Sequence, residues 1–229
     1  MEYLHNGFTL ELSTDAFPLS TDSIALADFI KLPKNAHILD LGAGCGTLGL
    51  LLCAKDCSCT VQGIELSQSA HEMALYNAEA NGISHRLNSV CADLRNIPEI
   101  FPAGSFSCCI SNPPYFSSGP QSKKTPLARR EDCCSLTELF SAANWALQYG
   151  GDFFLVHRPE RLAELCACGA QHKLEAKKLL LLRHHAGSPI NLVLLQFRKG
   201  GKPGLIWQEE SLSNPDGTPT DYYRRLYHI

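Results

Sequence analysis

The stretch Asn112-Pro113-Pro114-Tyr115, with Phe116 behind it, holds the parts needed to handle a planar NH2 group. The Asn112 side chain and the Pro113 carbonyl can each accept a hydrogen bond from such an amine, and Tyr115 offers a flat ring to the attached π system. Two prolines fix φ and remove backbone donors, so the carbonyls here point outward instead of into a sheet ladder. An amine whose lone pair is drained into a ring or a carbonyl is a weak nucleophile. Two acceptors pulling on its hydrogens push the nitrogen towards tetrahedral geometry and release the lone pair for attack. A plain proline-rich turn accounts for Pro113 and Pro114, but it has no use for Asn before them and Tyr after them.

Chemistry of this kind needs a second reactant, and the surrounding chain has to bring it close. The apolar run Phe106 to Ile110 reads as a buried strand that ends at the motif. Upstream, His37 to Leu41 is a compact strand followed at once by Gly42-Ala43-Gly44-Cys45-Gly46 and a helix from Thr47 to Ala54. Strand, glycine loop and helix in that order open a nucleotide-binding crossover, because glycines allow the turn and let a ligand approach the backbone. The spacing is GxGxG, one residue shorter than the dinucleotide fingerprint, with Gly49 as a looser alternative match. A second strand, Thr60 to Ile64, ends in Glu65, 19 residues after Gly46, where a carboxylate can hold both hydroxyls of a ribose. A third strand, Asn88 to Ala92, ends in Asp93, an acceptor for an adenine amine. Ligands of open α/β sheets bind at the carboxyl ends of strands, and four such ends carry a suitable group here: Gly42, Glu65, Asp93 and Asn112.

Other elements complete an α/β pattern. A short hairpin is expected around Asn6-Gly7, and Thr21 or Asp22 can cap an amphipathic helix running to about Lys31. Ser67 starts a helix through Ala80, with Ser69 and Glu72 at capping-box spacing. Ser135 and Glu138 form a second such box on a helix that Gly150-Gly151 stop. Asp152 to Val156 is a fifth strand, with His157 and Arg158 beyond it as surface salt-bridging groups, and Leu179 to Arg183 and Ile190 to Phe197 are the last two. Residues 117–132 form a long polar loop after the amine motif. Its Lys123, Lys124, Arg129 and Arg130 suit a phosphate backbone, the alternative being a solvated lid without an anion partner.

The 229 residues are 45% hydrophobic, enough for one α/β domain with a full core. No apolar run is long enough to span a bilayer, and the first residues lack a basic-then-apolar leader, so a soluble cytoplasmic protein is expected. The 11 cysteines lack the paired spacing of metal ligation and read as reduced, mostly buried thiols, with no metal site expected. Net charge is −3, yet residues 1–115 hold 5 Lys/Arg against 12 Asp/Glu and residues 116–229 hold 15 against 11. That asymmetry is compatible with one end facing a polyanion, and equally with ordinary surface.

Taken together, these motifs resemble the class I methyltransferases that use S-adenosyl-L-methionine, with a Rossmann-like, doubly wound, seven-stranded sheet whose last strand is antiparallel. The Asn112 to Tyr115 motif matches the members that methylate planar nitrogens. Phe17 to Ser23, Val156 to Leu162 and Tyr222 to Tyr227 extend the resemblance to the bacterial tRNA(Val) adenine-N6 methyltransferases. It implies a cofactor pocket lined by Thr21, Asp40, Gly42, Ala43, Gly44, Gly46, Glu65, Leu66, Asp93, Leu94 and Asn112. S-adenosyl-L-homocysteine would be the product. It also implies a catalytic set of Asn112, Pro113, Pro114 and Tyr115, with RNA held by Tyr115, Phe116, Lys123, Lys124, Arg129 and Arg130. A monomer acting on tRNA is expected, organised as an N-terminal extension (1–36), a core sheet (37–199) and a C-terminal tail (200–229). Glutamine-amide and guanine-N2 methylation use the same four catalytic residues and remain alternatives, as does cofactor binding without catalysis.

Overall fold

In the computed structural model, which describes residues 1–12, 19–113 and 134–228, the apolar runs line up as strands of one sheet. A small hairpin, β1 (Glu2–Tyr3) and β2 (Thr9–Leu10), turns through Asn6 at φ 60°, and α1 (Thr21–Phe29) follows. Then come β3 (His37–Leu41), α2 (Thr47–Lys55), β4 (Thr60–Glu65), α3 (Gln68–Ala80), β5 (Leu87–Cys91), α4 (Ile97–Ile100) and β6 (Phe106–Ser111). Beyond them lie α5 (Leu136–Ala146), β7 (Leu147–His157), α6 (Leu162–Gln171), β8 (Leu174–His185), β9 (Ile190–Lys199), β10 (Ile206–Ser213) and α7 (Asp221–Tyr227).

The order across the sheet is β10-β8-β9-β7-β6-β3-β4-β5, and β9 alone runs against the others. The seven expected strands are therefore present with the seventh reversed. An eighth, β10, is added from the segment read as a polar tail. Its sequence hides it, because the first four residues of β10 are exposed and only Leu212 is buried. Hydrophobic alternation fails on an edge strand that covers little core.

Central strands are apolar on both faces, as parallel strands between two helix layers must be. Ile38, Val61, Cys108, Ile110 and Phe154 pack under α1, α2 and α3 on one side. Leu39, Leu41, Ile64, Cys109 and Phe153 pack under α5 and α6 on the other. Two local expectations shift. Ser20 caps α1 in place of Thr21 or Asp22, and Ser67 caps α3 in place of Ser69. The Ser135–Glu138 capping box forms as expected, but α5 ends at Ala146, before the glycines, because Leu147 turns extended to enter β7. No helix among the described residues is long and apolar enough to cross a membrane.

The N-terminal hairpin and the residue after it are held to α3 by side-chain amides. Asn81 donates to the Thr9 carbonyl and accepts from the Thr9 amide, both at 2.8 Å. One turn earlier on α3, Asn77 makes the same pair of bonds to Glu11, also at 2.8 Å, and donates to the Cys45 carbonyl of the glycine loop at 3.0 Å. Two asparagines four apart on a helix thus imitate a neighbouring strand for residues two apart on the extended segment. Asn81→Ala should leave the Thr9 groups without these partners and lower stability by roughly 1–3 kcal/mol. Chemical denaturation measures the loss, and faster hydrogen exchange at the Thr9 amide locates it.

Candidate cofactor and amine site

Parallel register brings the polar strand ends to one edge. Asp40 of β3 lies opposite Gly63 of β4 and Ile110 of β6, and Glu65 of β4 lies opposite Cys91 of β5. The glycine loop, Glu65, Asp93 and Asn112 therefore leave the sheet side by side. Gly42 and Gly44 have φ of +77° and +55°, and a Cβ at either would meet no atom within 4 Å. Here the main chain borders open space, so a ligand can lie directly on it. Gly46 closes the loop in the left-handed region at the start of α2. Gly49 sits inside α2, where a Cβ would come within 2.6 Å of Leu87, so its role is helix packing and the loop is GxGxG.

Glu65 does two jobs. Its carboxylate accepts from the Gly44 amide and from the Ser67 amide, each at 2.8 Å, which fixes the loop and the start of α3. Each oxygen retains a second lone-pair direction, so hydroxyls of a ribose can still bind there. Beside it, Asp40 is fully buried, and its Oδ1 has no hydrogen-bond partner among the described residues. Burial first, and then the negative charge of Glu65, push the Asp40 carboxyl up to about 8. A buried acid with one unpartnered oxygen among the described residues, behind an open glycine cradle and next to a second acid, fits a ligand bearing positive charge.

Asp93 is placed as expected but is not alone. Arg95 grips both its oxygens, with Nε at 2.9 and 2.8 Å, and the Arg95 side chain holds its carboxyl below the usual carboxylate range. An adenine amine would share a carboxylate already forked to a guanidinium. Thr21, expected at the pocket, has its hydroxyl 2.9 Å from that of Tyr227 on α7. Ala43 is buried, Leu66 is exposed and Leu94 is half-buried against the α5 side of the core. Asn112 is half-buried, and its Nδ2 donates to Ser23 Oγ at 3.1 Å. Pro113 follows it, while Pro114, Tyr115, Phe116, Lys123, Lys124, Arg129 and Arg130 lie outside the described residues.

Three contributors were not singled out from sequence. Ser23 and Asn77 read as ordinary helix residues, since nothing local marks a partner so far along the chain. Gly63 did carry a signal, a glycine inside an apolar strand. A Cβ there would come within 2.8 Å of Ala43, so the loop can fold over β4 only because that position is bare. His157 corrects the expectation of a surface group: it is buried at the end of β7, its Nδ1 accepts from the Arg158 amide at 2.8 Å, and burial pushes it down to about 4. Arg158 is exposed and donates to the Asn191 carbonyl.

The Asp40 carboxyl has a folded-state value above that of the unfolded chain, so the fold prefers its protonated form. Its contribution is complete below about 3.8 and is lost as pH rises towards about 8. Asp40→Asn should therefore gain stability over the unsubstituted protein as pH rises through that window, by up to about 1.4 kcal/mol per pH unit, and level off above it. Melts of the two proteins across pH 4 to 9, taken as differences, check the slope.

The methyltransferase small domain family model matches residues 19–165. A tRNA1(Val) (adenine(37)-N6)-methyltransferase of Shewanella halifaxensis is 31% identical over 85% of this chain and 80% of its own length. The enzyme of the same name from Aliivibrio salmonicida is 30% identical over 99% of this chain and 98% of its own. Among solved structures, a predicted O-methyltransferase of Agrobacterium tumefaciens superposes with a TM-score of 0.76 at 22% identity, over 91% of this chain and 96% of that one. That last likeness speaks for the fold. With the family model spanning the glycine loop, both acids and the amine motif, the chain belongs to the methyltransferase small domain family.

Proposed function

We propose that the protein transfers a methyl group from S-adenosyl-L-methionine to the exocyclic N6 of an adenine in tRNA, leaving S-adenosyl-L-homocysteine. The anticodon-loop adenine of tRNA(Val) is the target that the named relatives support. The observation that carries the reading is the placement of Asn112 at the end of β6, one strand from the glycine loop that ends β3. A cofactor on that loop and an amine at Asn112 would be neighbours. The reading places one methyltransferase domain, acting as a monomer, in the cytoplasm.

The residues fit the cofactor. Gly42 to Gly46 would take its amino-acid end, Glu65 its ribose and Asp93 its adenine. When bound, it supplies a methyl group on a cationic sulfur, open to displacement by a nucleophile. Asn112 Oδ1 and the Pro113 carbonyl would accept from the two amine hydrogens, and Tyr115 would stack on the base. Those bonds strengthen as the nitrogen pyramidalises, so they favour the transition state over the ground state. No strong base is needed, because the nitrogen becomes acidic once methylated and its proton can pass to water. An anticodon-loop adenine is already partly unstacked, and extruding it costs less than from a duplex.

Incubation with methyl-labelled cofactor and separate tRNA, rRNA, DNA and protein pools tests the proposal. Label in tRNA as N6-methyladenosine is the expected result. Label in N2-methylguanosine or in protein glutamine would overturn the substrate, and no label in any pool would overturn the activity. Asn112→Ala should slow single-turnover transfer by on the order of 10²–10³ while leaving RNA affinity little changed. Tyr115→Ala should forfeit roughly 1–3 kcal/mol of stacking, with Tyr115→Phe nearly neutral. A dead Tyr115→Phe beside an active Asn112→Ala would invert these roles.

A further inference from the structure

An asparagine amide is nearly symmetric in shape but opposite in function at its two ends. If its NH2 faced the substrate amine, donor would meet donor and the acceptor would be lost. Something must therefore choose between the two flips. The Asn112 Nδ2 donates to the hydroxyl of Ser23, at 3.1 Å, across the gap between β6 and α1. Ser23 is buried in the first turn of α1, where its own amide donates to the capping Ser20 hydroxyl.

The helix that carries Ser23 is fixed at both ends. At its carboxyl end, Lys55 of α2 donates to the carbonyls of Ala27, Asp28 and Ile30 at 2.7, 3.1 and 3.0 Å. At its start, Thr21 meets the Tyr227 hydroxyl of α7, and near its carboxyl end Arg225 of α7 pairs with Asp28 at 3.5 Å. Phe29 packs edge-on against Phe154 of β7. On the other side, Ser111 donates to the Leu41 carbonyl at 2.8 Å and so holds the residue before Asn112 to the end of β3. A hydroxyl on a clamped helix facing an amide on a clamped strand end is the arrangement that precise positioning requires.

We propose that Ser23 is a positioning residue for methyl transfer. Its hydroxyl, accepting from Nδ2, anchors the NH2 end of the Asn112 amide, so that the carbonyl oxygen is the end turned towards the substrate amine. The inference rests on the methyl-transfer reading above and adds a residue that does not itself touch substrate.

Single-turnover rates with the full chain, together with NMR of the Asn112 side-chain amide, test it. Ser23→Ala should lower the rate by about ten- to a hundredfold, while the apparent affinities for cofactor and tRNA stay within about twofold. Ser23→Thr, which keeps the hydroxyl, should recover most of the rate. Adding Ser23→Ala to Asn112→Ala should slow transfer no further, since the group being positioned is already gone. Ser23→Cys, of similar size but a weak acceptor, carries the same expectation as Ser23→Ala should the alanine variant not fold. In the unligated protein, the Asn112 amide resonance, assigned by its loss in Asn112→Ala, should shift and exchange faster in Ser23→Ala. Unchanged rate, losses that multiply in the double variant, or an unmoved amide resonance would each overturn the inference. An unsubstituted protein inactive on every pool would overturn the functional reading instead, and the amide resonance would still decide whether Ser23 fixes Asn112.

Discussion

The carboxyl end of β3 is tied on both sides. Ser111 of β6 donates to the Leu41 carbonyl, and the next two amides, Gly42 and Ala43, both donate to the Ile64 carbonyl of β4. These bonds make the glycine loop bend towards β4 and place Asn112 directly across from it. Everything that reads as a site hangs from this junction. The loop itself carries little side-chain information, only three glycines, a buried alanine and a buried cysteine, so its shape depends on what surrounds it. Glu65 grips it at Gly44, Asn77 grips it at Cys45, and the bare Gly63 leaves room beneath Ala43.

This junction carries an electrostatic cost. Asp40 and Glu65 are neighbouring acids, one of them fully buried with an oxygen that lacks a hydrogen-bond partner among the described residues. A structure built only for stability would place a hydrocarbon at Asp40, as Leu39 and Ile38 show is possible one and two residues earlier. The two acids become favourable if positive charge arrives, and the proposed cofactor brings it on both its sulfur and its amino group. Opposite charge at short range in a low-dielectric pocket acts far more strongly than in water. The unfavourable pair in the free protein and the affinity for a cationic ligand are then one property seen in two states.

Elements outside the seven-stranded core also reach the site, through hydrogen bonds and ion pairs as well as packing. The N-terminal hairpin is bound to α3 by Asn77 and Asn81, and the first of these continues to the glycine loop. Helix α7, at the far end of the chain, reaches α1 through Tyr227 and Arg225, and α1 reaches Asn112 through Ser23. Tyr222 and Leu226 of α7 are buried, so the contact has an apolar base beneath its polar links. Both chain termini thus converge on the two helices that border the strand ends.

Local pattern in the chain was enough to read the strands, the glycine loop, the acids at the ends of β4 and β5, and the position of Asn112 just past β6. Each is written in neighbouring residues: an apolar run fixes a buried strand, and the residue that follows it must lie at the strand's end. The same logic found the capping box at Ser135, because a cap and its partner lie three apart. It failed where the partner is distant or the pattern is weak. The edge strand β10 shows no alternation because one side of it covers little core. His157 looked like a surface group because burial depends on the strands placed beside β7, not on its neighbours in sequence. The contact between Ser23 and Asn112 joins residues that have nothing in common along the chain. Only the parallel packing of β6 beside β3, with α1 laid across them, brings that hydroxyl and that amide together, because hydrogen bonds depend on distance in space and the sequence records only distance along the chain.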